Sequence, residues 1–282
     1  MDNRRMCPHC RAFITAKDKI CPYCDTEVGP RAIDRRDPGT IFAGMIPAAR
    51  FVTVLILTLN AGMFLATVLA SMKAGNTGAL MGLDGRTLVN FGASWPVATL
   101  FGGQWWRLLT AGFLHGGLMH IMFNSWAMMD VGAHTEEIYG QRRMVVIYLL
   151  STIGGFLASS FWTRSLSVGA SAGLFGLIGA MIAVGVLHKQ SMEASMIKAF
   201  YIRWAIYGLL MGLLPFFHID NAAHIGGLAT GFITAWIAGT PRLIDTWQEK
   251  LWKFLATFLV LLTVLSFYKM FMFMLSASSM AD

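Results

Sequence analysis

The sequence predicts an all-α polytopic membrane protein with a small N-terminal cytoplasmic zinc-binding module. Three observations lead there. Of 282 residues, 56% are hydrophobic and 13% charged, with a mean hydropathy of +0.58, far more apolar than an ordinary soluble domain. Seven apolar segments, 51–72, 116–133, 144–162, 171–187, 199–217, 222–238 and 254–275, each approach the ~20 residues that a helix needs to cross hydrocarbon. All four cysteines lie in the polar stretch that precedes them, which has no signal-peptide pattern.

That polar stretch comes first. "CPHC" (7–10) and "CPYC" (21–24) form C-x2-C-x10-C-x2-C, a spacing whose four thiolates suit a tetrahedral zinc ion. Cys7, Cys10, Cys21 and Cys24 are therefore the expected metal ligands. A rubredoxin-like iron site is the chemical alternative, and disulfides are disfavoured because the tail is expected to face a reducing cytoplasm. Some 25 residues cannot bury a core, so a metal staple is needed for folding. His9, inside the first knuckle, is expected to be exposed rather than a ligand. The predicted boundaries are a zinc-ribbon-like module at 1–28, a polar linker at 29–49, a membrane core at 50–240, and a cytoplasmic loop with an additional transmembrane helix at 241–282.

Lysine and arginine orient the segments. With a cytoplasmic N-terminus, the tail holds nine, and Arg142, Arg143, Lys189, Lys198, Arg203, Arg242, Lys250 and Lys253 fall on the same side. Only Lys73, Arg86, Arg107, Arg164 and Lys269 lie outside, so the positive-inside rule favours this topology. The net charge of +7 reads as anchoring on the cytoplasmic face and calls for no nucleic acid. The long 73–115 connection, with Phe91, Trp95, Phe101, Trp105 and Trp106, suits a loop half-sunk in the outer interface.

In this topology the second, fourth and sixth segments enter from the outer face, and each carries polar residues near its start: His120 and Asn124, Ser171, and His224. At ~1.5 Å of rise per residue their side chains fall at similar shallow depths. A lone serine in such a helix usually bonds its own backbone or glues helices together. Ionisable intramembrane groups are rarer and point to function. A hydroxyl beside an imidazole is the makings of a nucleophile and its base, and His120 and Asn124, spaced i, i+4, share a helix face from which both can donate to an oxyanion beside the Ser171 N–H. Two small-residue faces, Ala172/Gly176/Ala180 and Ala223/Gly227/Gly231, would let the fourth and sixth helices approach closely. Asp220, one turn before His224, invites a triad; with His218 it reads better as a solvated loop end. Asp130 lies too deep to help.

These residues resemble the rhomboid intramembrane serine proteases. "GASAGLFG" (169–176) resembles their G-x-S motif, "AHIGGLATG" (223–231) their A-H-x-x-G-x-x-x-G, and "HGGLMHIMFN" (115–124) their H-x4-H-x3-N. "WWR" (105–107) and "GAHTEEIYG" (132–140) add to the likeness, which covers about 50–240. The resemblance implies a six-helix rhomboid-like bundle plus a C-terminal seventh helix, a Ser171–His224 dyad, oxyanion donors His120 and Asn124, structural roles for Arg107, His115 and Glu136, and no catalytic cofactor. Two departures are Ala172 after the serine, where glycine is frequent, and Phe175 where the aromatic that packs on the base is often tyrosine.

The expected activity is therefore a serine endopeptidase that cuts transmembrane segments of protein substrates, as in regulated intramembrane proteolysis. Its expected location is a bacterial plasma membrane, with the site open to the outer face and membrane lipid around it. The alternative is a non-catalytic rhomboid-like binder or dislocation factor for transmembrane clients, against which the intact polar set argues. The N-terminal module leaves room for a protein partner. No P-loop, dinucleotide fingerprint or H-E-x-x-H occurs.

Overall fold

The structure, a computed structural model, describes residues 4–7, 9, 10, 12–15, 18–28, 50–163, 165–214, 219–241 and 246–279. The 29–49 linker, Arg164, His218 and Arg242 lie outside the described residues. The chain opens with a two-stranded antiparallel hairpin, β1 (Arg4–Met6) and β2 (Phe13–Thr15), with Met6 opposite Phe13. Helix α1 (Phe51–Lys73) follows, then an outer region with α2 (Gly85–Asn90) and α3 (Arg107–Thr110). Helices α4 (Leu118–Ala127), α5 (Ala133–Trp162), α6 (Ser171–Leu187), α7 (Met192–Met211), α8 (Asn221–Ala238) and α9 (Trp247–Ser279) complete it.

All seven expected segments are helical, with three adjustments. The fifth begins earlier than its apolar run, at Met192, because Ser191 caps it by accepting from the Ala194 N–H at 3.2 Å, and it ends at Met211. The seventh is longer at both ends. The connection at Arg142 and Arg143, expected between the second and third segments, is helical: α4 passes through a π-turn at Met128–Gly132 into α5, and the axis breaks only at Gly140, whose φ of 71° a side chain would oppose. By length and apolarity, 51–73, 118–162 and 247–276 can cross a membrane, while α6 is a shorter apolar helix. The remaining helices are short or polar for a physical reason. Helix α6 is almost wholly buried by its neighbours, and α7 carries Glu193 and Lys198 in its first two turns and Arg203 past its middle.

Helix α6 is the centre, packed between α5 and α8 at backbone distance. A Cβ on Gly227 would overlap the Ala172 carbonyl oxygen, one on Gly231 would overlap the Gly176 backbone, and one on Gly155 of α5 would come within 2.8 Å of the Ala172 Cβ of α6 and 2.6 Å of the Ala223 carbonyl of α8. Both predicted small-residue faces are thus in contact. Such approach supplies dispersion and weak Cα–H contacts where lipid offers no hydrophobic drive.

Three polar clasps hold the rest. Glu136 accepts from the Val52 N–H (3.0 Å), the Thr53 N–H (2.9 Å) and the Thr53 hydroxyl (2.9 Å), satisfying the first turn of α1. Arg107, 1% exposed, donates to Gln104 Oε1, Val89 O and Ala93 O at 2.6–2.9 Å. Its guanidinium lies 4.5 Å from the Trp106 ring and 5.0 Å from Phe273 of α9. Arg143 makes two 2.8 Å bonds to Glu249, tying α5 to the start of α9. The outer region is not a bare loop, as expected, but short helices organised by Arg107. Its aromatics divide: Trp106 is buried, and Trp95, Phe101 and Trp105 are exposed.

Gly227→Val should therefore destabilise the bundle by about 1–3 kcal/mol or more, seen as a lower melting temperature in detergent. Gly62→Val in α1, where a Cβ meets nothing within 4 Å, should melt close to wild type. Equal melting of the two variants would refute the close-packed account.

Candidate active site

One cavity of about 800 Å³ is lined by Ser171, His224, His120 and Asn124 together, so the four residues selected from three separate helices meet at one site. Each arrives by a different local device. Ser171 is the first residue of α6, after Ala170, and no side chain caps that helix end. Its first-turn N–H groups and the positive end of the helix dipole are left for a ligand. The approach to it is pinned from outside: Ser94 and Ser167 exchange backbone hydrogen bonds of 3.0 and 2.9 Å, and the Gly169 N–H bonds Ala111 O at 3.0 Å.

Gly169 is a point of close approach. Its φ of 134° is poor for any side chain, and a Cβ there would lie 2.7 Å from His120 Nε2 and 3.5 Å from Ser171 Oγ. The imidazole of His120 and the hydroxyl of Ser171 thus flank the same spot. The Gly116 N–H donates to His120 Nδ1 at 3.3 Å, which makes Nδ1 the acceptor and leaves the proton on Nε2, the nitrogen beside Gly169. Asn124 is buried, with an Nδ2 that has no protein partner, a donor held ready at the cavity wall.

His224 lies on the first turn of α8, 5% exposed. Its ring stacks on Phe175, centroids 4.0 Å apart and planes 13° from parallel. Its Nδ1 is buried with no hydrogen-bond partner. Asp220 does not reach it. That carboxylate caps α8 by accepting from the Ala223 N–H at 3.0 Å, and it bonds the Ser159 hydroxyl. The expected solvated loop end is therefore a half-buried cap, and stacking rather than a carboxylate orients the imidazole. His115 is fully buried edge-on to His120, ring centroids 5.1 Å apart. Asp130 points elsewhere, 3.6 Å from His134 Nδ1.

Sequence reasoning did not find the wall formed by Trp126 of α4 and by Trp204, Tyr207, Gly208 and Met211 of α7. The Trp126 and Trp204 rings stack across the two helices at 5.2 Å. In an apolar run of this kind nothing marks them apart from lipid-facing neighbours.

Residues 102–241 match the Rhomboid domain. This part of the chain is a Rhomboid domain, and the chain has rhomboid protease homologues. It is 37% identical over 190 residues to the rhomboid protease GluP of Bacillus subtilis, covering 67% of this chain and 35% of that one. It is 38% identical over 162 residues to RHOMBOID-like protein 6, mitochondrial, of Arabidopsis thaliana, covering 56% of this chain and 51% of that one. Inactive RHOMBOID-like protein 8 of the same plant is 36% identical over 161 residues, covering 56% and 45%. The chain thus spans about a third to a half of the length of these curated relatives. Family and apolar helices together make it a multi-pass membrane protein.

Ahead of the rhomboid domain, the four cysteines converge. Their Sγ atoms all lie within 4.8 Å of one another, with Cys7 to Cys24 at 3.7 Å and Cys10 to Cys21 at 3.6 Å. Four sulfurs at ~2.3 Å from a central zinc stand about 3.8 Å apart, so the cage fits the ion. Each knuckle is a backbone turn, closed by Cys7 N–H to Ala12 O and Cys21 N–H to Thr26 O, both 2.9 Å. The Thr26 hydroxyl and backbone draw the Cys24 thiol down to about 5, toward the thiolate a metal requires, while the thiols of Cys10 and Cys21 are raised. His9 is exposed, as expected of a non-ligand. Purified protein should carry one zinc per chain with an all-sulfur shell by X-ray absorption, and Cys21→Ser should lose it. A nitrogen in the shell, or metal retained by that variant, would contradict the four-cysteine site.

Proposed function

We propose that this protein is an intramembrane serine endopeptidase acting on transmembrane segments, with Ser171 as nucleophile and His224 as its base. The observation that carries the reading is the convergence of a hydroxyl, an imidazole and two unengaged donors on one cavity within a bundle that spans hydrocarbon. A substrate segment enters the cavity from the bilayer and unwinds locally, exposing a peptide carbonyl. Ser171 Oγ attacks the carbonyl carbon while its proton passes to His224, whose Nδ1 is buried and whose Nε2 is left to face the cavity. The negative charge that forms on the carbonyl oxygen is met by His120 Nε2–H, Asn124 Nδ2–H and the Ser171 N–H, a preorganised set that gains strength in a low dielectric. Collapse breaks the C–N bond, and the departing amine takes the proton from His224. Water then hydrolyses the acyl-enzyme by the same route.

No cofactor enters these steps. In the topology that the charges favour, the N-terminus is cytoplasmic and the site opens to the outer face of a plasma membrane. The zinc-ribbon-like module at 1–28, joined through the linker at 29–49, is then a folded appendage across the membrane from the chemistry. It is a recognition domain rather than a part of the site, and 50–240 is the catalytic core.

Purified protein in detergent or liposomes should cleave a generic transmembrane substrate. Ser171→Ala and His224→Ala should reduce cleavage to background while keeping the fold. Asn124→Ala should lower kcat about 10²–10³-fold. Wild-type protein that binds such a segment without cutting it would favour the client-binding reading, and turnover retained by Ser171→Ala would move the nucleophile elsewhere.

A further inference from the structure

The wall of the cavity formed by α7 touches the base through one ring. Only Ala194, Tyr201 and Ala205 of α7 are buried, so this helix presents much of its surface away from the protein. Its early part is held closely: a Cβ on Gly185 of α6 would come within 2.5 Å of Ala194 O, and Tyr201 Oη lies 3.0 Å from His134 Nδ1. Its last turn is tied to α8 by Asn221 Nδ2 donating to Leu209 O at 3.1 Å. Between these ties lies Gly208, where a Cβ would sit 2.6 Å from Phe175 Cζ and 3.2 Å from Cε2. Phe175 is backed by the imidazole, its face stacked on His224 at 4.0 Å, and the residue is 6% exposed. Backbone of α7, ring of Phe175 and imidazole of His224 form one continuous stack.

The geometry points to Gly208 as a positioning residue that, by admitting the α7 backbone to the edge of Phe175, holds this ring flat against His224. The inference rests on the proteolytic reading and deepens it. The wall beside which a transmembrane substrate lodges is also the backing of the base, because His224 Nδ1 has no hydrogen-bond partner and the ring stack is what fixes the imidazole plane. A side chain at position 208 either drives Phe175 into the imidazole or lifts α7 from the ring. Both misalign the base while leaving its chemistry intact.

A double-mutant cycle tests this on the full-length protein, with cleavage of a generic transmembrane substrate as the readout. Gly208→Ala should lower kcat about tenfold or more, as small misplacements of a catalytic group do, with KM within about twofold. In a Phe175→Leu background, which lacks the Cζ atom that position 208 would strike, Gly208→Ala should change kcat less than about twofold, since contacting residues are non-additive. Leu210→Ala, on the exposed side of the same helix, should cleave at the wild-type rate. The same tenfold loss in both backgrounds, or a change confined to KM, would overturn the role of Gly208 while wild-type cleavage leaves the proteolytic reading standing. A wild-type protein that does not cleave at all would remove that reading, and this inference with it.

Discussion

The contact on which the structure depends is the meeting of α6 and α8 backbone to backbone. Side chains of ordinary size would hold two helices 8–10 Å apart. Here Gly227 lies on the Ala172 carbonyl and Gly231 on the Gly176 backbone, and the helices carry Ser171 and His224 at matching ends. Any Cβ in that seam separates the two residues that the site needs adjacent. Because the seam lies at the centre of the bundle, the same constraint serves stability and geometry at once.

The polar groups that remain are spent on holding the periphery to this centre. Arg107 gathers the outer region and also receives Phe273, while Arg143 grips Glu249. The seventh helix is thus clasped near each end by an arginine of the core. Phe267 adds an edge contact to Phe113, ring centroids 5.4 Å apart. Breaking one half of a buried charged pair strands the other in low dielectric, so α9 is bound into the fold although most of its length is exposed. The site itself uses few such bonds. His224 is stacked on a ring, and Asn124 Nδ2 has no protein partner, which leaves the imidazole Nδ1 and this amide uncommitted.

Much of this was legible in the sequence because membrane helices and glycine seams leave local signatures. The seven segments, the two small-residue faces, the four cysteines and the convergence of His120, Asn124, Ser171 and His224 follow from apolar runs, spacing and topology. What was not legible is what depends on neighbours distant in the chain. Asp220 lies one turn from His224, and only the fold shows it committed to the α8 cap and Ser159. The start of α7 at Met192 is set by the Ser191 cap rather than by hydropathy. Arg143 counted as one more cytoplasmic charge until Glu249, over a hundred residues away, proved to be its partner. Gly208 looks like any glycine in an apolar helix, and its meaning lies in the ring of Phe175.

The central claim is that glycine packing assembles an activated serine at the start of α6. Labelling of the folded wild-type protein by a small fluorophosphonate, with the adduct located by mass spectrometry, tests it most directly, since a small reagent needs no substrate segment to enter. The account predicts a single adduct on Ser171 that is lost in His224→Ala. An adduct on another serine, or equal labelling of Ser171 without His224, would contradict it.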